Sequence, residues 1–264
     1  TMGYIFEDLL RRFSEMSNET AGEHYTPREV IQLMVELLVG GQADREIVEN
    51  RAPVRRVYDP AAGTGGMLMT AMEHMKKLNP DTIVEVSGQE LNDETWAIAQ
   101  SDLMMQDIDP RQMRNGNSLT QDAFPFEKFD FILANPPYGV DWKQYAQPIR
   151  DEHEKQGMSG RFGAGLPRVS DGSLLFLQHM LSKMKPSGGR VGIVLSGSPL
   201  FSGQAGSGES EIRRWILEND WLEGIVALPD QMFYNTGIST YVWIITNQKR
   251  PERRGKVQLI DATA

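Results

Sequence analysis

Apolar residues at Ile5, Phe6, Leu9, Leu10 and Phe13 share one helical face, so the pattern opens with a helix over residues 4–16. A second helix is predicted to start at Thr26 and Pro27, with the threonine as N-cap and the proline at the first helical position. It runs through Val30, Ile31, Leu33, Met34, Leu37 and Leu38 to Gly40 and Gly41. The period then shortens. Apolar strands are predicted over residues 54–58, 83–86, 129–134, 190–195, 222–227 and 241–246, and helices over 66–78, 93–105 and 173–184. Such alternation implies an α/β fold with a mostly parallel sheet covered by helices on both faces.

Two stretches interrupt this order. Residues 139–172 have mixed charges, several glycines and no sustained period, and they read as a long loop. Residues 202–210 are almost all Ser, Gly, Gln, Ala and Glu, and they read as a mobile loop. Both leave the sheet at the edge where ligands bind in open α/β folds, so each is either a substrate-facing element or a tolerated surface insertion.

Composition narrows the picture. A chain of 264 residues accommodates one large α/β domain, and no apolar run is long enough to cross a membrane. No secretory signal is apparent, and the absence of cysteine rules out disulfides and thiolate chemistry and fits a reducing, cytoplasmic setting. Thr1 precedes Met2, which reads as a core cut from a longer protein or as a start carrying an expression scar. The formal net charge is −9. A free-standing binder of duplex DNA usually carries a basic face, so a DNA-directed function would need local cations or a partner's.

The densest chemistry follows the run Phe129 to Ala134. Asn135-Pro136-Pro137-Tyr138 sets a carboxamide, a rigid turn and an aromatic ring just beyond a buried strand. An amino group conjugated to a ring is a poor nucleophile until its N–H bonds are gripped. The Asn135 side-chain oxygen and the Pro136 carbonyl can each accept one of them, drawing the nitrogen toward a tetrahedral geometry, while Tyr138 offers a face for the ring. The same four residues also make an ordinary turn.

A second motif, Asp59-Pro60-Ala61-Ala62-Gly63-Thr64-Gly65-Gly66, lies between the first strand of the sheet and its helix. Its glycines let a ligand approach the backbone, beside the N–H groups that open the helix. Leu68 stands where a dinucleotide-binding turn has its third glycine, which argues against a nicotinamide oxidoreductase. Asp59 suits a cationic ligand, and Glu90, after the second strand, can accept two ribose hydroxyls. Together they describe an adenosine site without a phosphate, and S-adenosylmethionine fits it. The four histidines, His24, His74, His153 and His179, show no metal-ligand spacing, and no metal is expected.

In order along the chain, Gly22-Glu23-His24-Tyr25-Thr26-Pro27-Arg28, the Asp59 to Gly66 turn, Gln89-Glu90-Leu91-Asn92, Gly116-Asn117-Ser118-Leu119 and Asn135 to Tyr138 resemble the motifs of N6-adenine DNA methyltransferases. With Asp171-Gly172-Ser173, Gly188-Gly189-Arg190, Leu228-Pro229-Asp230-Gln231-Met232-Phe233 and Asn235-Thr236-Gly237, they resemble more narrowly the modification subunit of type I restriction-modification systems. The resemblance implies a Rossmann-like S-adenosylmethionine-dependent methyltransferase fold with a seven-stranded sheet. It implies that residues 1–264 are one catalytic domain, with N-terminal helices in 1–50 and the Rossmann-like core in 51–264. The family's N-terminal helical domain and C-terminal tail would then lie outside this chain.

The resemblance also assigns roles. Tyr25, Thr26 and Pro27 would hold the methionine end of S-adenosylmethionine, Asp59, Gly63, Thr64, Gly65 and Gly66 would line its turn, and Glu90 would bind the ribose. Asn117 stands where many relatives carry an aspartate facing the cofactor's adenine. Asn135, Pro136, Pro137 and Tyr138 would perform transfer to N6 of an adenine flipped out of the duplex. Tyr138 and Phe233 would be the stacking walls, Phe233 being otherwise a core residue. After Phe233 there is no room for a target-reading domain, so the implied partners are double-stranded DNA, a specificity subunit, a second modification subunit and a restriction subunit, with no membrane. A protein glutamine N5-methyltransferase also uses Asn-Pro-Pro-Tyr, and a non-catalytic assembly subunit could keep the fold; the 22–28 segment and the later motifs favour DNA, and intact Asp59, Glu90 and Asn135 favour catalysis.

Overall fold

A computed structural model of the chain describes residues 26–40, 49, 53–233 and 237–263. The helix expected over 4–16 and the residues Tyr25, Asn235 and Thr236 lie outside the described residues. Eight strands form one sheet: β1 Val54–Asp59, β2 Ile83–Glu90, β3 Met113–Asn115, β4 Phe131–Ala134, β5 Arg190–Ser196, β6 Leu222–Ala227, β7 Thr240–Thr246 and β8 Gln258–Asp261. Their spatial order is β3-β2-β1-β4-β5-β7-β6-β8. Only β7 runs against its neighbours, β5 and β6.

The sheet is therefore mostly parallel, with eight strands where seven were expected. β3 and β8 were not read from the apolar pattern. β3 has only three residues, and all four residues of β8 are exposed, so neither carries a buried apolar run. The central strands do. Within each, successive side chains enter opposite faces. Val57, Phe131, Leu133, Val194, Val242 and Ile244 join one core, whereas Tyr58, Ile132, Ala134, Ile193, Leu195, Trp243 and Ile245 join the other.

Helices α1 Arg28–Val39, α2 Gly66–Leu78 and α3 Asp93–Met105 supply the first core. α1 buries Val30, Ile31, Met34, Val35, Leu38 and Val39 and packs on α2 and β5. A Cβ placed on Gly192 of β5 would stand 2.8 Å from the Leu38 side chain, so a glycine lets α1 settle against the strand. Asn92 caps α3 by accepting the Glu94 and Thr95 N–H groups at 3.0 Å. Thr26 does not cap α1. The helix starts at Arg28 with Pro27 at the cap position and no side-chain cap bond, which leaves the Thr26 hydroxyl for another use.

The second core is covered by α5 Ser173–Ser182 and α7 Gly208–Glu218. The mobile loop expected over 202–210 is shorter than that, because Ser207 caps α7 by accepting the Ser210 N–H and the helix begins at Gly208. Between them β5 is followed by the one-turn α6 Ser198–Phe201. Residues 139–172 are not an irregular loop. They contain α4 Ala146–Gln156 and a small core of their own, in which Trp142, Ala146, Ile149 and Phe162 pack with Leu119 and Leu175. The helix escaped the apolar pattern because only Ala146 and Ile149 of its 11 residues are buried.

Candidate active site

Two turns leave the same sheet edge from neighbouring parallel strands, since Tyr58 of β1 pairs with Ile132 of β4. The β1 turn begins at Asp59, which is 1% exposed and accepts the Ala61 N–H at 2.9 Å. Burial pushes this carboxyl up to about 8; the Ala61 bond opposes the shift and the Glu90 charge adds to it. At neutral pH the group thus holds a proton that a nearby cation would release.

Gly63 and Gly65 have φ of 54° and 87°, in the left-handed region where a side chain is strained. A Cβ on Gly63 would meet no atom within 4 Å, so the turn faces open space. Glu90, at the end of β2, holds the turn in place. One carboxylate oxygen accepts the Gly63 N–H and the other the Asn92 N–H, both at 2.8 Å. The set offers a carboxylate, room above the glycines and a buried acid, chemistry that could hold an adenosine bearing a sulfonium cation.

Residues 116–119 form the third wall. Gly116 N–H donates to the Glu90 carbonyl at 2.9 Å. The Asn117 side-chain oxygen accepts the Leu119 N–H at 2.9 Å, and its carbonyl accepts from Thr120 and Gln121, so Asn117 shapes its own turn. Ser118, quoted in the sequence motif without a role, donates its hydroxyl to the Pro60 carbonyl at 2.5 Å and ties this wall to the Asp59 turn. Gln89, fully buried, performs a similar task, donating to the Gln121 carbonyl at 2.7 Å and accepting from Ala123 N–H at 3.2 Å. Like Ser118, Gln89 was quoted in the sequence motif without a role, and the polar end of β2 around it gave no sign of its burial.

Asn135 opens the β4 turn. Its Nδ2 donates to Thr26 Oγ1 at 2.9 Å, and its Oδ1 accepts the Tyr138 hydroxyl at 2.5 Å. Thr26 thereby sets the carboxamide with nitrogen toward the segment before α1 and oxygen toward Tyr138. Burial raises the Tyr138 phenol, with the Asn135 bond opposing, so the hydroxyl stays a donor. Tyr138 is 8% exposed and meets Phe233 edge to face, with ring centroids 6.0 Å apart and planes at 90°. Phe233 is buried in the first core, as the core-residue alternative has it. Beyond this turn, Asp171 accepts the Ser173 N–H at 3.1 Å and the Ser198 hydroxyl at 2.7 Å, fastening the start of α5 to the end of β5.

The structure thus brings Thr26, Asp59, Gly63, Gly65, Glu90, Asn117, Asn135, Tyr138 and Phe233 to one edge of the sheet, with Thr64, Pro136 and Pro137 in the same turns and Pro27 and Gly66 at the starts of α1 and α2. The histidines are used elsewhere. His153 Nδ1 meets the Phe162 carbonyl at 2.7 Å and His179 is fully buried, while His24 lies outside the described residues.

Known proteins are similar to this chain in sequence and fold. The model of the N-6 DNA Methylase family matches residues 1–264. The type I restriction enzyme HindI methylase subunit of Haemophilus influenzae is 31% identical, over 99% of this chain and 54% of its own length. The MjaIX methylase subunit of Methanocaldococcus jannaschii is 28% identical, over 98% of this chain and 43% of its own. Among solved structures, a type I restriction-modification system methyltransferase subunit from Streptococcus thermophilus superposes with a TM-score of 0.73 at 27% identity, covering 94% of this chain and 49% of that one. The chain spans about half the length of these relatives.

Proposed function

The chain belongs to the N-6 DNA Methylase family, and on that premise we propose that it transfers a methyl group from S-adenosylmethionine to N6 of adenine in DNA. It does so as the modification subunit of a type I restriction-modification complex. The observation that carries the reading is the orientation of Asn135. Its carboxamide is held by Thr26 with the oxygen turned to the Tyr138 hydroxyl, a bond that an incoming amino group would replace, just beyond the strand next to the one that ends in Asp59.

Residues 1–264 act as the catalytic domain in this reading. α1 belongs to it, because it packs on α2, β4, β5 and β7. Asp59, Gly63, Thr64, Gly65, Gly66, Glu90 and Asn117 hold the cofactor, with Tyr25, Thr26 and Pro27 at its methionine end. S-adenosylmethionine supplies an electrophilic methyl on a sulfonium that departs as a neutral thioether. Asn135 Oδ1 would accept one N–H of the target amine and the Pro136 carbonyl the other, freeing the nitrogen lone pair to form the N–C bond as the S–C bond breaks, after which the methylated nitrogen gives up one proton to solvent. To reach them the adenine leaves the duplex and lies against Tyr138, with Phe233 behind that ring.

Sequence choice falls to a specificity subunit, with a second modification subunit and a restriction subunit as further partners. The net charge of −9 supports this division, since a chain so acidic gains much of its attraction for DNA from elsewhere. Among the described residues no helix is long and apolar enough to cross a membrane. The test is to react the chain, with and without a specificity subunit, with duplex DNA and labelled cofactor, using Asn135→Ala as control, and to map the modified base. N6-methyladenine in a fixed context, formed only with the partner, is expected. Robust sequence-specific methylation by the chain alone would remove the division of labour, and methylated glutamine in place of adenine would overturn the substrate.

A further inference from the structure

Resting on that functional reading, we propose that Arg161 is a positioning residue that holds the 116–119 wall of the cofactor site and couples it to the segment following Asn-Pro-Pro-Tyr. Arg161 lies outside every motif noted above, within the segment that the sequence presented as loop. Its guanidinium has no N–H to spare. Nε and Nη2 grip both oxygens of Glu152 on α4 at 2.6 to 3.1 Å. Nη1 donates to the Ser118 carbonyl at 2.7 Å and Nη2 to the Leu119 carbonyl at 3.0 Å. The remaining Nη1 bond goes to His179 Nδ1 on α5 at 3.1 Å.

This last contact fixes a proton. A guanidinium cannot accept, so Nδ1 must, and His179 is neutral with its hydrogen on Nε2, 3.0 Å from the Tyr58 hydroxyl of β1. Burial, then the Arg161 and Lys183 charges, hold His179 well below the usual histidine range, in agreement with that tautomer. Arg161 is thus anchored from behind by the Glu152 carboxyl and a neutral His179. On its working side it holds two consecutive carbonyls of the cofactor wall, and Ser118 passes that grip to the Asp59 turn through Pro60.

The arrangement has a thermodynamic consequence. Whatever orders α4 and its small core also orders the cofactor wall, so cofactor binding and the order of the 139–172 segment support each other reciprocally. The fork is essential: a lysine at 161 keeps the charge opposite Glu152 but cannot span Glu152, two carbonyls and an imidazole.

S-adenosylmethionine binding by Arg161→Lys is the discriminating measurement, with Ser118→Ala breaking the same chain at its far end without disturbing the ion pair. Both variants should bind the cofactor ~10-fold more weakly, as expected for one or two lost hydrogen bonds. In cofactor-free protein, hydrogen exchange at Leu119, Thr120 and Gln121 should rise in Arg161→Lys while the amides of β1 and β5 stay protected. Folded variants that bind within twofold of the parent, with unchanged exchange at those amides, overturn the proposal. A parent chain that binds neither S-adenosylmethionine nor S-adenosylhomocysteine overturns the functional reading as well, and so separates the two failures.

Discussion

The β1 turn and the β4 turn emerge side by side, yet they are held in opposite ways. The β1 turn is secured through the backbone: Ala61 N–H on Asp59, Gly63 N–H on Glu90, and the Pro60 carbonyl on Ser118. The β4 turn is secured through side chains, Thr26 and Tyr138, which bracket the Asn135 carboxamide. Backbone anchoring gives a rigid receptacle suited to a ligand that is the same in every cycle. Side-chain anchoring can be exchanged bond for bond, which suits a group that must take hold of a new amine and release it.

The contrast breaks most visibly at Asn135. Replacing it with alanine removes the acceptor that the amine needs, and transfer should fall by ~10²–10³-fold or more, as when a preorganised polar group is deleted from other active sites. Cofactor affinity, which the proposed function assigns to the β1 turn, should stay within about twofold. Calorimetry of cofactor binding beside single-turnover methylation checks both, and a parallel loss of affinity would erase the distinction between the turns.

Asp59 offers the next largest effect and tests the other side. Its folded-state pKa of about 8 stands above the unfolded value of 3.8, so its contribution to stability is complete below 3.8 and is lost as pH rises through about 8. Cofactor binding has the opposite sign, because a sulfonium favours the carboxylate. Affinity should therefore tighten with pH up to about 8, approaching ~10-fold per unit, with proton release on binding near pH 7. Asp59→Asn should flatten that dependence and release no proton. Binding heats measured in buffers of different ionisation enthalpy would count the proton, and a pH-independent affinity in the parent would remove Asp59 from the site.

Much of this fold is legible from residues alone. The helices Gly66–Leu78 and Asp93–Met105 have the bounds that the periodicity predicts, because each follows a turn with a strong local signal, a glycine cluster in one case and an Asn cap in the other. The motif residues of both turns are legible too, since each lies a few positions beyond an apolar strand. What local pattern cannot carry is pairing over distance. Thr26 looked like a helix cap because threonine before proline usually is one, whereas its hydroxyl serves Asn135, 109 residues away. α4 was hidden because only Ala146 and Ile149 are buried, in a core that Leu119 and Leu175 complete from outside the segment. Arg161 was hidden for the same reason.

Thr26 itself supplies a finer test. Valine keeps the shape and removes the acceptor, so the carboxamide loses the bond that sets its direction without losing its oxygen. Transfer should slow by ~3–10-fold, the worth of one neutral hydrogen bond, with a smaller change in cofactor affinity. A rate equal to that of the parent in the full complex would mean that packing alone orients Asn135.

The smallest effect separates the two jobs of Tyr138. Its hydroxyl occupies the same Asn135 oxygen that an incoming amine must use, so each turnover exchanges one hydrogen bond for another, and the net cost of removing the first is small. Tyr138→Phe keeps the ring against Phe233 and should change the rate by no more than about threefold, whereas Tyr138→Ala also removes the stacking face, which other base-binding sites value at ~1–3 kcal/mol. If phenylalanine were as damaging as alanine, the hydroxyl would be a participant in transfer rather than a resting partner. The β4 turn would then be as rigidly committed as its neighbour.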